Sequence, residues 1–466
     1  MRNITFIAFA LSAAVLFGTA QSGSAQSPTP TPTPPPVPTG VFYLPSNRTI
    51  DSRALGNSNV DGVVVAGRWS DLEPSKGVFD FNHAIQGQSL AHLVSQVEAA
   101  GKPMRLEIQT GGPDVKPGPT VCPGCAVSTG AKPHWLIKEI TNDSYTGCKF
   151  FTYKVSDNPP TTATIPVFWE PTLLAEHAAL VQAVANYFPN GAHPLIEVVF
   201  VPYANARTVD WNIGDISDAP DGIPDPCGSE RHITPRTRWL NTIPNSGYPD
   251  MGTALIAAGT YTYNAYHTAF PTKILTTSIG RLDDPDLNPG GIGVYGRNIS
   301  ETVVSTAHNN WPGYIAAQKL NLNGGCPSTP CPNGGVLPAP GIQQNGTPTP
   351  WNDLYRLHTL WAIPTAAQMV FAAYDDPACT PPPSPTPTPT PDHYLAQRMD
   401  AGVGSPCMDS TQMLYQAVDT GVTYETQWQE IYELDIGYLD GMNHDPHPSP
   451  SPAPDVIQYA HQMLHH

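Results

Sequence analysis

The sequence predicts a single (β/α)8 barrel with long loops. Three observations predict it. Eight short strand-like runs recur along the chain, helix-like runs separate most of them, and the remaining intervals are long and rich in Pro, Gly and Cys.

Residues 41–44 (VFYL) and 60–66 are apolar, largely β-branched runs that read as strands one and two. A helix is predicted over 81–100, with Ala84, Leu90, Leu93, Val94 and Val97 on one stripe and Gly101 to stop it. Strand three, 103–109, alternates: Met104, Leu106 and Ile108 take one face, Arg105, Glu107 and Gln109 the other. If the apolar set meets the helices, Glu107 points into the barrel, where the expected role is a salt bridge to Arg68 or Arg105. A helix over 173–187, strand four over 196–201, a helix over 252–270 and strand five over 273–279 continue the series. Residues 302–310 read as a helix, 314–320 and 366–371 as strands six and seven, 410–420 as a helix and 425–432 as strand eight. Intervals 111–166 and 211–250 read as loops after strands three and four, on the face that carries function in such barrels. An open doubly wound sheet is the competing fold, but no Gly-x-Gly-x-x-Gly follows strand one.

Residues 1–25 read as a signal peptide: a basic start, an apolar run over 4–20, then small residues. A Pro-rich spacer over 26–39 follows, then the barrel over 40–443 with a Pro-rich insertion at 380–391, and a Pro-rich tail over 444–466 that ends in one amphipathic helix. The expected location is secreted, periplasmic or at the cell surface, with no membrane partner after signal cleavage. Of 54 prolines in 466 residues, 19 lie in the tracts 28–38, 381–391 and 446–454, so the body remains suited to a folded core. Its 39 glycines exclude collagen, and 40% apolar against 13% charged residues argues against wholesale disorder. A net charge of −17 argues against a nucleic-acid partner.

Eight cysteines in an exported chain point to disulfides. Cys122 with Cys125, Cys326 with Cys331 and Cys379 with Cys407 are close enough in sequence to staple loops. Cys148 and Cys227 remain as a long-range pair. Zinc held by the two close pairs is the alternative. The histidines show no metal-like clustering apart from His444 with His447 and the terminal His461, His465 and His466, all expected to be solvated.

The stretch Gly67-Arg68-Trp69-Ser70-Asp71-Leu72-Glu73-Pro74-Ser75-Lys76-Gly77-Val78-Phe79-Asp80-Phe81 follows strand two. It resembles the W…EP…G…(F/Y)DF segment of barrel glycoside hydrolases of the β-galactosidase type. Ala100-Gly101-Lys102-Pro103 and Pro133-His134-Trp135-Leu136 are similar to the GK(P)…PxWL pattern of the same enzymes. The resemblance covers about residues 60–205. It implies a barrel with Asp80 as a helix N-cap, an Asn-Glu pair ending strand four as acid/base, and a Glu ending strand seven as nucleophile. Here Asn205 is followed by Ala206, and strand seven carries Gln368, with Asp375 and Asp376 beyond.

The residues fit a sugar site on chemical grounds. Sugars offer flat apolar faces edged by hydroxyls, which aromatic rings cover and amides read. Trp69, Trp135, Trp169 and Trp211 lie at or after strand ends, and Gln109, Asn205, Gln318 and Gln368 near the ends of strands three, four, six and seven. Arg68 ends strand two. Trp428 shares one face of strand eight with Glu430 and Tyr432. Glycoside hydrolysis needs two carboxyl groups across the bond, and the expected pair is Glu430 and Asp210. Glu73 is expected to be a hydrogen-bonding residue of its turn. The predicted function is a glycoside hydrolase-like barrel acting on a neutral carbohydrate, without cofactor or metal. The alternatives are a non-catalytic carbohydrate-binding barrel and a surface interaction protein.

Overall fold

Parallel strands need crossover connections, and helices between strands supply them. The computed structural model describes residues 33–45, 48–85, 87–111, 132–157, 160–188, 191–203, 205, 213, 219–228, 233–279, 299–320, 350–369, 410–438 and 456–465. The chain divides into Met1–Thr33 and Pro34–His466, and every described residue but Thr33 belongs to the second unit. Its elements run β1 (Gly40–Leu44), α1 (Ser52–Gly56), β2 (Gly62–Arg68), α2 (Trp69–Leu72), α3 (Leu90–Ala100), β3 (Met104–Gln109), α4 (His134–Asn142), β4 (Phe150–Asp157), β5 (Pro160–Pro166), α5 (Pro171–Tyr187), β6 (Ile196–Phe200), α6 (Pro235–Leu240), α7 (Met251–Ala269), β7 (Ile274–Ile279), α8 (Ile299–Asn310), β8 (Ile315–Leu320), α9 (Pro350–Trp361), β9 (Thr365–Gln368), α10 (Ser410–Thr423), β10 (Trp428–Tyr432), α11 (Glu433–Tyr438) and α12 (Val456–Leu464).

Eight strands close into a barrel in the order β1-β10-β9-β8-β7-β6-β3-β2. Every pairing in it is parallel, including the closing pair β1–β10. The eight are the eight predicted strands, shifted by a few residues at their ends. Alternation sorts their side chains. Phe42, Val198, Ile274, Ala316, Ala366 and Trp428 form one buried cluster inside the barrel. Their strand neighbours, such as Val41, Val199, Leu275, Ala317, Ala367 and Ile431, join the larger layer under the helices. Gly62 is fixed by this packing, because a Cβ there would stand 2.4 Å from the Phe42 ring.

The structure departs from the sequence reading in five places. The helix predicted over 81–100 starts only at Leu90, where Ser89 Oγ accepts the His92 N–H as N-cap. Asp80, the expected cap, instead accepts the Asn82 N–H in a local turn. The interval 111–166 is not all loop: it holds α4 and the antiparallel β4–β5 hairpin. The hairpin buries Phe151, Tyr153, Ala163 and Ile165 on one face, with Phe151 stacked on Trp239 at 3.7 Å. The interval 211–250 contains α6, whose N-cap Thr234 accepts the Thr237 N–H. Residues 350–361, which carried no assignment, form α9. Lastly, the amphipathic helix expected in the tail is present as α12 but packs on the body: Val456, Ile457 and Ala460 are fully buried, and Tyr459 stacks on Tyr415 of α10 at 4.4 Å.

Cys148, just before β4, is disulfide-bonded to Cys227 across 79 residues. The other three proposed cysteine pairs, the signal segment and the Pro-rich insertion lie outside the described residues. The bond tethers the hairpin to the segment after β6, and it limits the unfolded chain by closing a long loop. Replacing Cys148 and Cys227 with Ala together is expected to cost about 2–4 kcal/mol, read as a lower urea midpoint.

Candidate functional site

Strand parity places Arg105, Glu107 and Gln109 of β3 inside the barrel. Arg105 is fully buried, yet its charge is met on two sides. Its Nη1 donates to Glu107 Oε2 at 2.9 Å. Its Nε stands 2.9 Å from Glu430 Oε1 of β10, close enough to pair charges though not aligned as a hydrogen bond. The guanidinium carbon lies 4.4 Å from the centre of the Phe200 ring, a cation–π contact. Gln109 Nε2 donates to Glu107 Oε1 at 3.0 Å. On the far side, Gln318 Nε2 donates to Glu430 Oε2 at 3.1 Å and to Gln368 Oε1 at 2.7 Å. One polar network thus joins β3, β10, β8 and β9. The salt bridge expected of Glu107 is present, and its partner is Arg105.

A second cluster lies just past β3 and β6. Asn205 Nδ2 donates to Thr110 Oγ1 at 2.7 Å, and the buried Lys132 ammonium donates to the Thr110 carbonyl. Burial pushes the Lys132 pKa down to about 8. Burial, reinforced by the Lys132 charge, pushes His177 of α5 down to about 3, so its ring is neutral at pH 7. That ring stacks on Trp69 at 5.5 Å, and its Nε2 lies 3.2 Å from the Tyr266 hydroxyl. Burial first, then the Glu107 charge, hold the Tyr266 hydroxyl protonated.

The turn after β2 is built around Glu73. Its carboxylate accepts Trp69 Nε1 at 2.9 Å and the Gly77 N–H at 2.8 Å, and its carbonyl accepts Trp135 Nε1 at 3.0 Å. Burial raises the Glu73 pKa. Its expected role as a turn residue is therefore met. Trp69 is corrected: it is fully buried against His177 and has no face left for a sugar. Trp135 is half-buried and tied to the same turn. Trp428 is also corrected. It fills the barrel interior beside Phe42 at the start of β10, because the first inward position of a strand meets the opposing strands.

Of the expected site residues, the structure brings together Gln109, Gln318, Gln368 and Glu430. Asn205 lies in the adjoining cluster, and Arg68 sits at the end of β2 in register with Gln109. Asp210 and Trp211 lie outside the described residues. Sequence reasoning missed Thr110, Lys132, His177 and Tyr266, which come from four separate segments with no common spacing. Inside the barrel, Arg105 Nη2, Thr276 Oγ1 and Gln318 Oε1 are buried without a hydrogen-bond partner among the described residues. Such atoms call for water or a hydroxylated ligand.

Among the described residues, three His/Asp side chains that could hold a metal meet elsewhere, at the opposite end of the barrel. A separate pocket, lined by Tyr248, Asp250 and Met251, lies beside the start of α7 and contains none of these network residues.

No protein-family profile matches the chain, and no curated protein matches it in sequence. Several solved structures follow a similar course. The catalytic domain of a β-amylase from Paenibacillus polymyxa aligns over 91% of this chain and 98% of its own, with 10% identity and a TM-score of 0.47. A β-galactosidase from the haloarchaeon Halorubrum lacusprofundi aligns over 92% of this chain and 58% of its own, with 13% identity and a TM-score of 0.42. Xylanase 10B from Thermotoga maritima aligns over 92% and 95%, with 9% identity and a TM-score of 0.39. Identities this low and TM-scores below 0.5 leave function to be read from the chain's own residues.

Two outcomes follow from the geometry. Arg105→Met leaves two buried carboxylates without their cation and should cost about 3–5 kcal/mol. Glu430→Gln in that background should return part of the loss, measurable as a double-mutant cycle in urea. His177 has a folded pKa below its unfolded value, so the unfolded chain binds the extra proton between about pH 6.5 and about 3. Stability then falls as pH drops through that window, by at most about 1.4 kcal/mol per pH unit from this residue. His177→Phe should flatten that slope in urea melts taken from pH 7 to pH 4.

Proposed function

We propose that this chain is an exported, glycoside hydrolase-like barrel that takes a neutral carbohydrate at the C-terminal mouth of its strands. The observation that carries the reading is the inward row of amides, Gln109, Gln318 and Gln368, around two carboxylates that share the single guanidinium of Arg105. A lining of amides with partly compensated acidic charge suits hydroxyl groups better than anions. The Gly67–Phe81 stretch, with its resemblance to β-galactosidase-type enzymes, supports the same substrate class. The disulfide between Cys148 and Cys227 supports export, since such bonds persist in oxidising compartments.

In the hydrolytic form of this proposal Glu430 is one of the two carboxyl groups and Asp210 the other. A specific observation favours a second reading, a carbohydrate-binding barrel without turnover. Glu430 is fully buried against Arg105, and Gln368 and Ala206 stand where the resembled enzymes carry their two glutamates.

Purified full-length protein, titrated with neutral oligosaccharides and assayed on aryl glycosides, separates the two. Hydrolysis requires that Glu430→Gln lower kcat at least about 100-fold while binding survives. Equal turnover in both proteins removes Glu430 from the mechanism. Binding without any turnover establishes the second reading, and neither binding nor turnover ends the proposal.

A further inference from the structure

Two of the terminal histidines expected to be solvated, His461 and His465, are held on the barrel floor. Asp61 sits just before β2. One of its carboxylate oxygens accepts the Val41 N–H at 2.8 Å. Two side chains four residues apart, His461 on α12 and His465 just past its end, reach the same carboxylate: His461 Nδ1 at 2.9 Å and His465 Nε2 at 3.0 Å. The two imidazole rings are 4.5 Å apart. The opposite nitrogen of His465, Nδ1, lies 3.0 Å from Thr39 Oγ1. Gly40 makes the approach feasible, since a Cβ there would stand 2.0 Å from the Asp61 carboxylate.

We propose that Asp61, His461 and His465 form a binding site for a borderline divalent transition ion of the zinc type. Three ligand atoms of this set lie within 4.8 Å of one another. Zinc with bonds of about 2.0–2.1 Å needs its ligands about 3.3 Å apart, so small side-chain shifts suffice. Two imidazoles and one carboxylate are a nitrogen-oxygen set that prefers such an ion to calcium or magnesium. They leave a fourth position for water. His465, in the turn that follows α12, comes back to the side that carries His461, which brings both rings to the same carboxylate. Thr39 is placed to supply the outer contact that metal-binding imidazoles use: with an ion bound, its Oγ1 would accept Nδ1–H of His465 and leave the Nε2 lone pair for the metal. Entry is open, with 31% and 38% of the two histidine side chains exposed. The nearby Lys102 ammonium is turned to the Asn57 and Val60 carbonyls. The site lies at the N-terminal ends of β1 and β2, opposite the barrel mouth, so the ion would fasten α12 to the strands that begin the barrel. Its role is structural and independent of the carbohydrate reading.

The test uses the full chain without a polyhistidine tag, stripped with chelator and titrated with zinc alone. Wild type should bind one equivalent through these ligands and gain thermal midpoint. His461→Gln with His465→Gln should weaken that binding more than about 100-fold, and Thr39→Val about 10-fold. Equal zinc affinity in wild type and the double variant overturns the proposal, as does failure of wild type to bind. Should the double variant not fold, Thr39→Val decides alone: weaker binding upholds the site and unchanged binding overturns it.

Discussion

A guanidinium with no exposed surface sits inside this barrel, and the arrangement of the interior follows from it. Removing an ion from water is costly unless partners surround it. Arg105 meets that cost with Glu107 on its own strand, Glu430 across the barrel and the Phe200 face between. Those contacts fix the inward set of β3 and link it to β10, which closes the ring by pairing with β1. They also set the chemistry available at the mouth. A carboxylate committed to a buried cation is a structural charge before it is a catalytic one. The amides of Gln109, Gln318 and Gln368 are bound into that network themselves, and among its described amide atoms Gln318 Oε1 is buried without a partner.

Around that interior the structure is layered in the usual way for parallel sheets. Outward strand residues meet α3, α7, α8 and α9, and the mouth-side segments join the same continuous core. The β4–β5 hairpin is part of that core, with Trp239 against Phe151 and the Cys148–Cys227 bond as its tether. Aromatic residues near strand ends are used chiefly as scaffold. Trp69 and Trp135 hold the Glu73 turn, and Trp428 fills the lower barrel, so aromatic content near a mouth is weak evidence for a sugar platform.

The eight barrel strands were legible because each is a short apolar run, and the 103–109 alternation told which side chains of that strand face inward. The pairing of Glu107 with Arg105 was legible for the same reason, as both lie on one face of one strand. The β4–β5 hairpin went unread, although Phe151 and Tyr153 alternate with polar neighbours, because surrounding Pro, Gly and Cys marked the interval as loop. The helix start at Leu90 was misjudged because Phe81 and Ala84 extend the apolar pattern while the cap, Ser89, lies inside it.

What the sequence determined by itself was local: strand and helix periods, the breaks between them, the turn around Glu73 and the amides at strand ends. Tertiary structure decided which distant residues meet. Glu430 gained Arg105 from 325 positions away in the chain, His177 gained Lys132 and Trp69, and His461 and His465 gained Asp61. No periodicity encodes such meetings, because strand order and the closing of the β1–β10 seam set them. Burial then decided the charge state of Lys132 and His177, a property of the surroundings that the residue types do not carry alone.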